Sequence, residues 1–300
     1  MPTLTIFTAT YNRAHLISRI YTHLLSQSNF DFEWLVIDDG STDDTEFLFK
    51  KFLSNNNPFT IRYYKQNNQG LIRTLNKGIK LSKGKYFTKL DSDDYPLEYF
   101  AKTLLAWIKD IQDIPNIYAV GGLRITPDGI PLKGVWPNIN NYVDATDLER
   151  SKYNIDSDMT ESWSLEILKK YPFPVWENEK FAPEQIVLHQ IALDGYLIRW
   201  YPVPLTICEY QNDGLTKGAS KLEKENPMGY AMMFNHMLKR KDLKFIQKLR
   251  IAMNHIALSI VGKNPQYIFQ SNDILYTIIS IFPGLLLAIR RKYQHFKIHL

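Results

Sequence analysis

The stretch GKYFTKLDSDDYPLEYF, Gly84 to Phe100, sets a strand-like run (Tyr86 to Leu90) directly before three carboxylates, Asp91, Asp93 and Asp94. Like charges at the end of a core strand repel one another and resist desolvation. Two readings answer that cost. One is a polar turn that caps a helix starting near Pro96. The other is a divalent cation held by oxygen ligands, which offsets the repulsion.

Outward from this stretch, the first 125 residues alternate strand and helix patterns. TLTIFTAT (Thr3 to Thr10) is β-branched and apolar, and the segment after it carries Leu16, Ile20 and Leu24 at helical spacing. EWLVIDDG ends a second strand at Asp38 and Asp39, and STDDTEFLFKKFL follows as a helix with Ser41 and Asp44 at capping-box spacing. FTIRYYKQ, KYFTKLD and IYAVGGLRI (Ile117 to Ile125) read as further strands, separated by helices. This order predicts an α/β fold, a mostly parallel sheet with helices on both faces. Ligands of such sheets sit at the carboxyl ends of the strands. Thr8 to Tyr11, Asp38, Asp39 and Asp91 to Asp94 then surround one crevice.

Beyond Gly129 the pattern loosens until LIRWYPVPLTICEYQ, and from Asn226-Pro227 it turns helical, with Ile246, Leu249, Met253, Ile256, Ala257 and Ile260 on one stripe. The 300 residues suffice for a large core. A lone cysteine, Cys208, excludes an internal disulfide and points to a reducing, cytoplasmic compartment. Met1 runs straight into a strand pattern, leaving no signal peptide to set aside. The net charge of +5 gathers near the C-terminus, around the uncharged run ILYTIISIFPGLLLAI (Ile274 to Ile289). That run is shorter than the roughly 20 residues of a spanning helix, and Pro283-Gly284 interrupts it. Followed by Arg290, Arg291 and Lys292, it suits the headgroup region of an anionic membrane; the alternative is a C-terminal core helix. No nucleic-acid recognition motif accompanies the basic excess.

The first strand is followed by FTATYNRAHL, with no glycine, so neither a G-x-G-x-x-G fingerprint nor a Walker A lysine is present. A diphosphate fits such a crevice where a metal ion bridges phosphate oxygens to aspartates. TIFTATYNR, LVIDDGSTDDT, NQGLIRTLNKGIKLSKGKYF and KLDSDD, in this order and spacing, closely resemble the family 2 glycosyltransferases, which have the GT-A fold. The resemblance covers about residues 3 to 125. YPFPVWENEKFAPEQ and EYQNDGLTKG look like segments of bacterial capsule and surface-polysaccharide members, extending it to about residue 218.

The resemblance implies a nucleotide-sugar-binding GT-A half over 1–125 and an acceptor-side and catalytic-base segment of the same domain over 126–220; the helical pattern beyond them marks a C-terminal region over 221–300, a candidate for membrane association. It places Thr8, Ala9, Tyr11, Asp38 and Asp39 at the nucleoside, Asp91 near ribose and metal, and Asp93 on Mn²⁺ or Mg²⁺. Asp39 would accept a uracil N–H, as a carboxylate does strongly, or cap the helix beside Ser41. Tyr11 packs on the base or is a half-buried strand-end aromatic. Many relatives carry a basic residue just after the N-x-G glycine; Leu71 stands there, and Arg73 either takes that role or is a surface helix arginine. In FAPEQIVLHQ the usual acid pair is reduced to Glu184, with Gln185 beside it. Glu184 is then the general base, or a helix-N-terminal acid favoured by the dipole.

The implied reaction is an inverting, metal-dependent sugar transfer from a nucleoside diphosphate, a UDP-sugar on family habit, to a surface or capsular glycan. The acceptor would be a lipid-linked saccharide at the inner face of a bacterial membrane. A sugar nucleotidyltransferase would want a glycine-rich phosphate loop and basic residues near the first strand, where only Arg13 stands. A glycan- or nucleotide-binding protein on the same scaffold is the non-enzymatic alternative. Glu177 and Glu179 either orient acceptor hydroxyls or are plain exposed loop glutamates, Trp163, Trp176 and Trp200 are sugar platforms or simply packed, and Asp213 reads as a turn.

Overall fold

A computed structural model describes residues 1–155, 158–209 and 219–297, so Asp213 and most of EYQNDGLTKG lie outside the described residues. The chain divides into two compact units, Met1–Pro172 with Asp194–Asn212, and Phe173–Leu193 with Asp213–Leu300.

The first unit is built on one sheet: β1 (Leu4–Thr10), β2 (Phe32–Asp38), β3 (Thr60–Lys65), β4 (Tyr86–Lys89), β5 (Asp94–Pro96), β6 (Ile117–Ile125), β7 (Val143–Ala145), β8 (Met159–Ser164) and β9 (Leu197–Cys208). The strand order is β3-β2-β1-β4-β8-β6-β9-β5, with β7 also on β9. The first four strands in that order run parallel, as the alternating pattern predicts. The remainder is mixed, because β8 enters antiparallel between β4 and β6. β6 and β9 are parallel to each other, and the short β5 and β7 run antiparallel to β9.

Helices α1 (Ala14–Leu25), α2 (Thr45–Ser54), α3 (Leu71–Leu81) and α4 (Phe100–Ile111) cover the sheet, and a short α5 (Leu165–Leu168) follows β8. Side chains alternate along a strand. Leu4 and Ile6 of β1 therefore join Trp34, Val36, Phe49, Ile20 and Leu104 in one core under α1, α2 and α4. Phe7 faces the other way, onto α3, where a Cβ on Gly78 would stand 2.3 Å from its ring.

Two expected helix starts are displaced. Pro96 belongs to β5, paired with Thr206, and α4 begins at Phe100. Its first turn is held by Gln27, just past the end of α1, whose side-chain oxygen accepts the Ala101 N–H and whose amide donates to the Leu97 carbonyl, both at 2.9 Å. Nor do Ser41 and Asp44 form a capping box. Asp43 takes the Thr45 N–H and hydroxyl instead, and Ser41 Oγ accepts the Asn12 N–H.

The second unit consists of α6 (Gln185–Leu193), α7 (Ala219–Glu225), α8 (Pro227–Met237), α9 (Phe245–Val261), α10 (Ile274–Ile279) and α11 (Ile281–Lys297). Helix α9 runs through its core with Ile251, Ala252, Ile256, Ala257 and Leu258 buried, whereas Ile246 is exposed. Asn226 and Pro227 open α8 as their sequence predicts. The α8 N-terminus is capped by Glu179, whose two oxygens accept the Met228 and Gly229 N–H groups at 2.7 Å. This commits Glu179 to a structural role. The apolar run near the C-terminus breaks at Ser280 rather than at Pro283-Gly284. Pro283 falls in the first turn of α11, where a missing N–H costs nothing.

Candidate functional site

The loops after β1 and β2 clamp each other. Asn12, in the left-handed region at φ 54°, donates its N–H to Ser41 Oγ and accepts the Thr42 N–H on its side-chain oxygen. This leaves the Tyr11 ring 49% exposed at the strand end. Ala9 is half-buried beside it. Thr8 is fully buried, its hydroxyl accepting the Trp34 indole N–H at 3.1 Å.

The aspartate pair divides its work. Asp38 accepts the Ser41 N–H at 2.7 Å on one oxygen and the Tyr63 hydroxyl at 2.6 Å on the other. Asp39 gathers the loop before α3, accepting the Gln66 side-chain amide at 2.8 Å and the N–H groups of Gln69 at 2.9 Å and Gly70 at 2.8 Å. Gly70 and Gly40 both sit at φ 91°, a conformation that glycine adopts without strain. A carboxylate has about four acceptor positions, so Asp39 retains one beyond these three bonds. Arg73, in the first turn of α3, donates back to the Gln69 carbonyl at 3.2 Å.

The acids after β4 are neutralised in part by the protein itself. Arg124 of β6 sets Nη1 3.0 Å from Asp91 and 3.1 Å from Asp94, and Lys89 Nζ lies 3.5 Å from Asp91. Burial raises the Asp91 carboxyl, but Lys89 and Arg124 outweigh it and hold it down at about 2. Asp94 is buried in β5 opposite Cys208, and burial drives its carboxyl upward despite Arg124. Asp93 differs from both. Its main-chain carbonyl is held by Arg19 of α1, but its carboxylate has no ion pair among the described residues. Burial, then the charge of Asp91, push its carboxyl up.

A hard divalent cation fits this donor set. Among the described residues no three His, Cys, Asp or Glu gather as metal ligands. A Mg²⁺-type ion needs only one or two carboxylates when substrate phosphates complete its shell. Asp93 supplies a carboxylate with no ion pair among the described residues, near the charges of Arg13 and Arg124, and Asp91 a second beside it. Glu184 belongs to the second unit, just before α6, where it is half-buried and its carbonyl accepts the Val187 N–H at 3.0 Å. Trp163 and Trp200 are buried and offer no open face, and Trp176 packs edge-on against Tyr267. Arg124 and Arg19 carry no motif. Their one signal is a cation placed among apolar residues, in GGLRI and in LISRI.

The family model for glycosyl transferase family 2 matches residues 5–155. The chondroitin synthase of Pasteurella multocida (strain Pm70) is 37% identical over 131 residues, covering 43% of this chain and 13% of that protein. This chain therefore spans a small part of that relative's length. S. aureus TarS in complex with UDP-GlcNAc superposes with a TM-score of 0.61 at 16% identity, over 96% of this chain and 82% of that one. The mannosyltransferase PcManGT from Pyrobaculum calidifontis, in complex with GDP-Man and Mn²⁺, gives 0.56 at 17% identity, over 98% and 83%. At these identities the likeness is one of fold, the GT-A-type α/β architecture.

Proposed function

We propose that this chain, which belongs to glycosyl transferase family 2, moves a sugar from a UDP-sugar to a hydroxyl of a surface or capsular glycan with inversion at the anomeric carbon. One observation carries the reading: Asp93 presents a carboxylate with no ion pair among the described residues, beside an Arg124-neutralised pair, at the carboxyl end of a parallel strand. The exposed Tyr11 ring packs on the base, whose N–H takes the remaining acceptor position of Asp39. Asp38, with both oxygens engaged, fixes the turn below them. Thr8 and Ala9 form the floor, and Arg73 flanks the donor from α3.

Asp93 and Asp91 would hold Mn²⁺ or Mg²⁺, and the bound ion supplies charge neutralisation for the departing diphosphate. Glu184 accepts the proton of the acceptor hydroxyl. As the new bond forms on one face of the anomeric carbon, the bond to the diphosphate breaks on the other, which inverts the centre. A thermal-shift panel of nucleoside diphosphates and their sugars, with and without Mn²⁺, tests the donor site. A ligand at 100 times its dissociation constant stabilises by about 2.7 kcal/mol. A Mn²⁺-dependent shift with UDP ligands, lost in Asp93→Asn, is expected; a shift indifferent to metal and to Asp93 would refute the reading and favour a binding protein.

The C-terminal helices support an inner-membrane location. Gly284 and Ala288 of α11 turn inward, with a Cβ on Gly284 reaching 2.8 Å from Ile256. Leu275 and Ile278 of α10 and Phe282, Leu286 and Ile289 of α11 are exposed, Phe282 at 71%, and Arg290 and Lys292 are exposed after them. Among the described residues no helix is long and apolar enough to cross a membrane. An apolar face bordered by cations suits contact with an anionic bilayer surface, where a lipid-linked acceptor resides. Binding to vesicles containing phosphatidylglycerol should be lost in Phe282→Glu/Ile289→Glu; retained binding would remove the membrane from this account.

A further inference from the structure

Glu161 is a buried acid that no motif marks. It lies early in β8, at 9% exposure. The pairing of Thr88 with Ser162 puts Glu161 one position further, alongside Lys89 and at the edge of the sheet that bears Asp91. On its other side it pairs with Gly121, which pairs in turn with Trp200. Residues paired across strands share a face, and a Cβ on Gly121 would stand 2.5 Å from the Trp200 ring. The missing side chain thus leaves room for the Trp200 ring over Gly121, whose other neighbour is Glu161. Arg150 stacks on that indole at 5.1 Å while its own Nη1 pairs with Asp147.

The other buried acids among the described residues all receive donors. Glu33 has Thr5, Arg62 and the Lys83 N–H; Asp38 and Asp39 have the contacts given above; Asp94 and Asp147 have arginines; Glu179 has a helix N-terminus. Among the described residues the Glu161 carboxylate has neither a hydrogen bond nor an ion pair. Burial raises its carboxyl to about 7, against the more distant charges of Arg150, Arg124 and Lys89. A buried carboxylate without donors costs free energy, and such a cost persists where a ligand supplies them.

Resting on the donor site proposed above, we infer that Glu161 is a specificity residue for the donor sugar, its carboxylate accepting hydrogen bonds from adjacent hydroxyls of the pyranose ring. The sheet order fixes which part of the donor comes here. Asp39 follows β2, Asp91 follows β4, and β8 lies one strand beyond. The path from β2 to β8 is about 14 Å at about 4.8 Å per strand. A donor with its base at Asp39 and its diphosphate at Asp91 therefore extends its sugar over Glu161. A carboxylate repels phosphate and carboxylate groups alike, so the matching group is an uncharged polyol.

The test compares UDP with UDP-sugars by calorimetry on wild type and Glu161→Gln, using UDP-glucose, UDP-galactose, UDP-N-acetylglucosamine and UDP-glucuronate with Mn²⁺. The variant should keep wild-type affinity for UDP but bind the preferred neutral UDP-sugar about tenfold more weakly. It should also narrow the discrimination against UDP-glucuronate. Its thermal unfolding should not fall, because an unpaired buried charge has been removed. Equal losses for UDP and UDP-sugar, or an unchanged ratio between them, would overturn the role of Glu161. If wild type bound no nucleotide, the donor site itself would fall, and this assignment with it.

Discussion

Arg19 donates through Nη2 to the main-chain carbonyl of Asp93 at 3.0 Å. A residue of α1 thereby fixes the backbone of the acid loop after β4, while its Nη1 pairs with Glu209 at 2.8 Å and its plane covers the Tyr95 ring at 4.1 Å. Arg19→Met keeps the stem and removes these polar contacts. Stability should fall by about 1.5–3 kcal/mol, the range for hydrogen bonds to charged groups. Mn²⁺-dependent nucleotide affinity should fall as well, because Asp93 loses its orientation. A urea titration and a nucleotide titration on one preparation separate the two effects; unaltered affinity would show that the loop holds its shape unaided.

Arg124 serves two carboxylates with one nitrogen, so its loss strands Asp94 in the interior. Breaking a buried pair by removing one partner costs about 3–5 kcal/mol. Arg124→Met should reach that range in denaturant unfolding. Adding Asp94→Asn should recover part of it, since the stranded charge is then gone. Additive losses in this cycle would mean that the two residues are not coupled.

The parallel half of the sheet is legible because period-2 and period-3.6 patterns alternate cleanly from Leu4 to Ile111. The mixed half is not. β8 reads MTESWS, with Thr160, Glu161 and Ser162 all buried, a composition that resembles a loop. Only its neighbours on both sides make it a strand. The acid after β4 most prominent in sequence is legible for the same reason that its counter-charge is hidden. Asp91 to Asp94 are contiguous, whereas Arg124 arrives from a strand two places away in the sheet. Burial also decides what chemistry each aspartate keeps: Asp38 and Asp94 are spent on structure, and Asp93 is not.

The buried acids Glu161 and Asp94 should make stability fall as pH rises, against the opposite contribution of His255, whose imidazole burial pushes down. Burial raises the Glu161 carboxyl to about 7, and that of Asp94 also moves upward. An unfolded glutamate or aspartate titrates near pH 4. Between about pH 4 and 7 the folded state therefore holds protons that the unfolded chain has released, and stability falls as pH rises. The contribution is complete below about pH 4 and gone above pH 7. The urea midpoint should drop from pH 5.5 to pH 7.5 in wild type and drop less in Glu161→Gln. An identical drop in both would exclude Glu161 as a source of the dependence.

Gly78 tests how α3 is seated. Its backbone lies outside the positive-φ region, so alanine there carries no conformational penalty and adds helix propensity. The obstacle is contact, because the new methyl would stand 2.3–2.7 Å from three carbons of the Phe7 ring. Ring and helix must separate, and overpacking of this kind costs about 1–3 kcal/mol. The displaced helix is the one whose N-terminus gives the Gly70 N–H to Asp39, so nucleotide affinity should weaken alongside stability. Gly78→Ala combined with Phe7→Leu removes the ring that obstructs the methyl. It should restore nucleotide affinity more fully than stability, because the smaller side chain leaves core volume unfilled. Gly78→Ala alone at wild-type stability would show that α3 does not rest on Phe7.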